Sequence, residues 1–338
     1  MLAAALIGAA SVEIPYYVIE PGSARATEAL IMIDGSEQFP STGEIYYLTV
    51  GIQPTTPLEA AQGWIDPDTD IVPESFVLGD QTEEQNNEQN AQAMVSSKDV
   101  AASVALAHLG YPLAPTGTGA TITEITPGSA AELAELEPGD TIVAVDGVAV
   151  RLNPELAADL GARRPGDGVT LTVEDLDGAA RAVPITLGPR PDDPAIAFLG
   201  VATGTRGFDA GLPFPVDIDS GRVGGPSAGL AFTLGILDLL TPGELTGGAQ
   251  VAVTGTINPD ATVGPVGGVA QKAAAAAAAG ATVMLVPSAE YEAALDHAHG
   301  MRIEAVDDLA QALAVLEDLG GNALALGSPG TESAAAPG

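Results

Sequence analysis

Apolar residues fall into runs of strand length and runs of helical spacing, and turn signals separate them. From Ile14 to about Thr49 the pattern is β. Tyr16-Tyr17-Val18-Ile19 stops at Glu20-Pro21-Gly22, Ala29 to Ile33 stops at Asp34-Gly35, and Ile45 to Val50 is an aromatic, β-rich run. Thr55 to Pro73 carries the single tryptophan, Trp64, among turn residues and is expected as a packed loop. The polar stretch Thr82 to Gln92 leads into Met94, Val95, Val100, Val104, Ala105 and Leu109. That spacing predicts one helix ending near Gly110.

Residues 111–190 read as a self-contained unit. A strand at Thr121–Ile125 precedes a short helix capped at Pro127-Gly128-Ser129. Strands follow at Thr141–Val145 and Val148–Val150 around Asp146-Gly147. Asn153-Pro154 supplies a cap and first-turn pair for a helix to about Ala162. A hairpin through Asp177-Gly178 ends near Leu187, and Pro189–Pro194 reads as a stiff linker. From Ile196 onward strands and helices alternate. Helices are expected at Ala228–Leu240, Val269–Ala279, Ala289–Ala298 and Asp308–Leu319, with strands at Gln250–Gly255, Thr282–Val286 and Arg302–Ala305 between them. That alternation predicts an α/β domain over 191–319. Residues 320–338 are Gly-, Ser-, Ala- and Pro-rich and are expected as a disordered tail.

Composition narrows the function classes. The chain has 338 residues, 46% of them apolar, enough for two cores. Its net charge of −34 repels nucleic acid and anionic lipid surfaces, so nucleic acid is excluded as a partner. With no cysteine there is no thiol nucleophile, thiolate metal site or disulfide. The apolar start Met1–Val12 is shorter than the ~20 residues of a bilayer span. It reads either as the remnant of a membrane anchor (residues 1–13) or as a frayed terminus.

Chemistry concentrates in Gly224-Gly225-Pro226-Ser227-Ala228-Gly229-Leu230 and in Gly267-Gly268-Val269-Ala270-Gln271-Lys272. Ser227 follows a first-turn proline at the start of an apolar helix, where free N–H groups and the positive end of the dipole favour an oxyanion. Gly224 and Gly225 allow close approach to the backbone. Lys272 is one of only two lysines, set in an alanine-rich helix. Burial there, near the helix start, favours the neutral amine, which can accept a serine proton. Lys98 adjoins Ser97, but neighbours on a helix do not face each other, so it reads as a solvated surface residue. His108, His297 and His299 are poorly placed as bases. His297 and His299 lack a third ligand and read as solvent-facing, so no metal or cofactor is assigned.

Two resemblances follow. TPGSAAELAELEPGDTIVAVDGVAV resembles a bacterial PDZ domain, which implies a peptide groove between the strand near Thr121 and the helix from Asn153. Leu113–Gly119 departs from that family's carboxylate loop. GGPSAGL, VAVTGTI and VGPVGGVAQKAAAAAAAGATVMLVP resemble the proteolytic domain of Lon-type peptidases over about 196–318. This implies Ser227 as nucleophile, Lys272 as general base and Thr254 beside the lysine, with Gly224, Gly225 and Pro226 in support. Gly224 and Thr256 stand where that family has acidic residues.

PYYVIEPG, STGEIYYLTV and MVSSKDVAASVALAHLG extend the likeness to PDZ-containing, membrane-anchored Lon-like peptidases of the YlbL type. That likeness implies that 14–110 belong to the protease fold with the PDZ inserted. It further implies attachment to the extracytoplasmic face of the cell membrane by the N-terminus, and a homo-oligomer. No G-x-x-x-x-G-K-[ST] occurs, which implies ATP-independent cleavage of unfolded polypeptides. A peptide-binding scaffold with a silent protease fold and a small-molecule acyl hydrolase are the alternatives.

Overall fold

Alternation within the strands sets the architecture. In the strand Glu44–Thr55, Ile45 and Tyr47 enter one apolar cluster while Leu48 and Tyr46 join another. Its neighbour Gln250–Val253 repeats this, Val251 and Val253 against Ala252, and so does Val283–Pro287, Val283 and Leu285 against Met284 and Val286. A sheet that is apolar on both faces has to be covered on both. The helices Glu83–His108, Gly229–Leu240 and Leu309–Asp318 supply the first cover, and Val269–Ala278 with Tyr291–Asp296 the second.

The computed structural model describes residues 12–322 other than Asp80 and Asp192. Most of the expected anchor and most of the expected tail therefore lie outside the described residues. The sheet order is Arg302–Val306, Val283–Pro287, Gln250–Val253, Glu44–Thr55, Ile14–Ala26, Asp70–Pro73. Its first four strands are parallel and the last two join antiparallel. The central strand Glu44–Thr55 thus comes from the N-terminal segment, and residues up to Leu113 and from Leu212 form one unit around residues 114–211.

Within this unit the expected helix of the polar run forms over Glu83–His108, opened by a Thr82–Gln85 capping box. The Thr55–Pro73 stretch is not a loop throughout. It holds the helix Pro57–Gly63 and the strand Asp70–Pro73, and Trp64 stands 78% exposed just past the helix.

The second unit is antiparallel, in the order Val201–Thr205, Ala120–Ile125, Thr141–Val145, Gly168–Glu174, Ala180–Thr186. Asp146 (φ 50°) and Gly147 (φ 81°) turn the Val145–Val148 hairpin, the two positive φ values that a type I′ turn requires. Two expectations are corrected. The unit does not end at residue 190. Val201–Thr205 returns to pair with Ala120–Ile125, so the boundary falls at Gly211. The helix Asn153–Gly161 packs against both Ala120–Ile125 and Val201–Thr205, and Val201–Thr205 is the edge strand of the two. Nor does the Asn153 side chain cap its helix. It donates to Thr203 O at 3.0 Å, while Glu155 accepts from the Leu152 and Arg151 N–H groups.

Two half-buried or buried acids lie in the first unit beside a cleft lined by Glu28, Glu44, Ser41 and Asp238. Burial pushes Glu28 up to about 7 and Asp238 up to about 6, and Asp238 adds to the effect on Glu28. Both folded-state values exceed those of an unfolded chain, so the protonated forms favour folding. This contribution is full below about pH 4 and is lost as the pH rises through 6 and 7. Glu28→Gln is expected to raise unfolding stability at pH 8 by about 1–2 kcal/mol and to flatten its fall between pH 5 and 8. Urea melts across that range check it.

Candidate active site

The serine loop is shaped by the long helix that precedes it in sequence. Gly225, at φ 85°, gives its N–H to Asn90 O at 2.8 Å, and Ser97 Oγ donates to Pro226 O at 3.1 Å. Both partners lie on Glu83–His108. The loop is held from below, and Ser227 follows as a half-buried turn residue ahead of the helix Gly229–Leu240. Every residue of that helix except Leu239 is buried, because it sits between the sheet and the long helix. Gly229 N–H closes the turn onto Pro226 O, and Leu230 N–H is taken by Gly255 O. The amides of Ser227 and Ala228 enter no hydrogen bond among the described residues, and they stand at the positive end of the helix.

Thr254 comes from the first position past the strand Gln250–Val253, at the carboxyl end of the parallel sheet. It is fully buried, and its N–H is fixed by Leu285 O at 3.0 Å. Its hydroxyl donates to Ser227 O at 3.3 Å, and Gly255 N–H reaches the same carbonyl at 3.0 Å. With its proton so placed, the Thr254 oxygen is left as an acceptor, and Lys272 Nζ donates to it at 3.2 Å.

Lys272 stands in the first turns of Val269–Ala278, whose N-cap Gly268 is left-handed (φ 66°). The side chain is 3% exposed among alanines, and burial pulls the amine down to about 8, against an opposing pull from Glu290. Thr254 therefore joins the two halves of the site across the sheet, the serine loop on one face and the lysine helix on the other. Among the described residues no hydrogen bond links Ser227 Oγ directly to Lys272 Nζ.

The other expected residues fall out as follows. Gly224, Gly225 and Pro226 are contiguous with Ser227, but the Gly225 N–H is already spent on Asn90. A Cβ at Gly224 would lie 3.0 Å from Asn90 Cβ, a tight contact. Lys98 is half-buried rather than fully solvated. His297 is half-buried, its Nδ1 2.8 Å from Asp68, whereas His299 is exposed as expected, its Nε2 3.4 Å from the same carboxylate. His108 is held below its usual range by burial. None of the three bonds to the serine loop. Asn90 and Ser97 hold the serine loop, and motif reasoning missed this. The signal for Ser97 was its place in the buried stripe Met94, Ser97, Ala101, Val104. Among the described residues no cluster of His, Asp or Glu could hold a metal ion, and no helix is long and apolar enough to cross a membrane.

Comparison with known proteins agrees with this division. Residues 217–316 match the Lon protease (S16) C-terminal proteolytic domain, and residues 121–175 match a PDZ domain. These two matches support a protease with a PDZ domain. No curated protein matches the chain. Among solved structures, the PDZ domain of the SdrC-like protein of Listeria monocytogenes is 18% identical, covering 25% of this chain and 87% of its own at a TM-score of 0.23. That of Listeria innocua is 17% identical, covering 25% and 92% at a TM-score of 0.23. A solution structure from Geobacillus thermodenitrificans is 27% identical, covering 25% and 95% at a TM-score of 0.22.

Gly268 tests how the lysine is held. A Cβ there would meet Val50 Cγ1 at 2.8 Å on a left-handed backbone. Gly268→Ala is expected to cost about 1–3 kcal/mol in chemical denaturation, and Gly267→Ala, where a Cβ meets nothing within 4 Å, clearly less.

Proposed function

We propose that the chain is a serine endopeptidase that cleaves unfolded or flexible polypeptides without ATP, with Ser227 as nucleophile and Lys272 as general base. The observation that carries this reading is the path Lys272 Nζ to Thr254 Oγ1 to Ser227 O, built around an amine that burial pulls down to about 8. One N–H of the neutral amine is spent on Thr254, which leaves its lone pair free for the serine hydroxyl. The Ser227 hydroxyl is not hydrogen-bonded to the amine in the free protein, and such bonds commonly tighten only when substrate is bound.

Ser227 Oγ attacks the scissile carbonyl carbon and its proton passes to Lys272 Nζ. The carbonyl oxygen becomes an oxyanion, for which the unengaged Ser227 and Ala228 amides are the available donors. The C–N bond then breaks, Lys272 returns the proton to the leaving amine, and an acyl-serine remains. Water, deprotonated by the same amine, attacks the acyl carbon, the ester C–Oγ bond breaks, and Lys272 returns the proton to Ser227 Oγ as the acid leaves. Thr254 fixes the amine and takes no proton.

The PDZ unit is read as the substrate-presenting part. Its peptide groove would lie between the edge strand Val201–Thr205 and the helix Asn153–Gly161. Membrane attachment on the extracytoplasmic side and assembly into a homo-oligomer remain part of this reading through the family likeness alone.

Four outcomes test it on an unfolded protein substrate in nucleotide-free buffer. Ser227→Ala and Lys272→Ala are each expected to lower kcat by at least ~10³-fold while the fold survives by circular dichroism. Turnover unchanged in either variant removes the dyad. An active-site serine reagent is expected to label Ser227 in the parent protein, and folded protein with neither labelling nor turnover would be a peptide-binding scaffold instead. Because the base works as the neutral amine, kcat/KM is expected to rise with pH, about tenfold per unit below 8, and to level off above it. Thr254→Val should leave the fold intact and cost about 10–100-fold in kcat.

A further inference from the structure

One large apolar side chain near the serine loop is left in solvent. The inward stripe of the helix Glu83–His108 runs through Asn86, Asn90, Met94 and Ser97. Ser97 holds Pro226 and Asn90 holds Gly225, so the glycine loop lies along this stripe toward the helix start. One turn nearer that start, Asn86 donates from Nδ2 to Val77 O at 3.3 Å and accepts from Asn90 Nδ2 at 2.8 Å. The short helix Glu74–Leu78 is thereby placed ~6 Å along the same helix face from the point where Gly225 is held. Leu78 is buried, and the segment packs on Ile14–Ala26 and Asp70–Pro73, so it is a fixed wall. Phe76 projects from it into solvent, 73% exposed. Its surroundings are acidic. Glu83 accepts from the Tyr17 hydroxyl, and Glu74 acts on the same hydroxyl. Among the described residues neither acid is ion-paired.

We propose that Glu74–Leu78 is a docking wall for the polypeptide being cut, where Phe76 takes an apolar substrate side chain while Glu74 and Glu83 attract a neighbouring Lys or Arg. The inference rests on the Ser227–Lys272 reading and deepens it by naming the substrate segments selected. Two observations choose this occupant. The wall is continuous with the serine loop through Asn86 and Asn90, and its rim is negative. An extended chain advances ~3.4 Å per residue, so a side chain roughly four residues from the scissile bond reaches Phe76. A second copy of a chain with net charge −34 is a poor occupant for an acidic rim, since like charges repel. A contact this far from the reacting atoms is made equally before and during the chemical step, so it acts on KM rather than kcat.

The Ser227→Ala protein lets binding be read without cleavage. The probes are two fluorescein-labelled peptides of alanine and serine, one carrying a Leu-Arg pair and the other Ser-Glu in its place. The Leu-Arg peptide is expected to bind more tightly, and adding Phe76→Ser should weaken it about 5–20-fold without moving the Ser-Glu peptide. Phe76→Leu should keep most of the affinity, and Glu74→Gln should lower it about 2–5-fold, less at high salt. In the parent background Phe76→Ser should raise KM for an unfolded protein about 5–20-fold and leave kcat within about twofold. Because Phe76 is 73% exposed, the melting temperature should stay where it is. Equal affinity of the Leu-Arg peptide for folded Ser227→Ala protein with and without Phe76→Ser overturns the docking wall. So does a Phe76→Ser variant that only shifts sedimentation from dimer to monomer, which assigns the ring to a second copy. Phe76-dependent peptide binding in a parent protein that cleaves nothing would instead sink the dyad and leave the wall standing.

Discussion

The structure around the site depends on keeping one primary amine out of water. Lys272 is 3% exposed in a wall of alanines, and burial alone pulls it well below the ordinary lysine range, to about 8. A displacement of that size corresponds to roughly 3 kcal/mol of penalty on the ammonium form at neutral pH. The fold bears this cost because a strand end, Thr254, gives the amine one defined hydrogen bond, and because the lysine helix is anchored over both the N-terminal strands and Val283–Pro287. Small side chains matter here. Ala273 and Ala276 let the helix lie close to the sheet, and larger residues would lift the amine toward solvent.

The two-faced sheet explains why the site forms where it does. The serine loop belongs to one face and the lysine helix to the other, so they can meet only beyond the end of a strand. Gln250–Val253 ends at that point, and Thr254 and Gly255 bind the Ser227 carbonyl from the first residues past it. The strand that braces Gln250–Val253 on its other side is Glu44–Thr55, from the other end of the sequence. The long helix Glu83–His108 then fixes the serine loop through Asn90 and Ser97. Chain that precedes the second unit is thus structurally part of the site, and a fragment containing only residues 217–316 would lack the central strand and both loop supports.

Much of this was legible in the residues themselves. The alternation of helix and strand after residue 196, the buried helix behind Ser227 and the isolated lysine in an alanine run all appear in the structure at nearly their expected bounds. What was not legible depends on contacts between distant segments. Asn90 and Ser97 act through a backbone N–H and a carbonyl, which no side-chain motif announces. His297 looked solvent-facing because its partner, Asp68, is more than two hundred positions away. The end of the second unit was misread because Pro189–Pro194 looks like a linker, and only the pairing of Val201–Thr205 with Ala120–Ile125 shows that the chain returns.

That pairing changes what the second unit can do. Extended peptides join a domain of this kind by adding to a sheet edge, and its exposed edges are set by strand order rather than by position in the sequence. Ala120–Ile125 has neighbours on both sides and cannot accept another strand, whereas Val201–Thr205 is an edge. Its outward carbonyl at Thr203 is already used by Asn153 Nδ2, and the Thr203 hydroxyl is turned onto the same side chain. The carbonyl keeps a second lone pair, so an incoming strand would have to share this acceptor with the Asn153 amide or displace it, which weakens main-chain pairing at that position relative to side-chain fit.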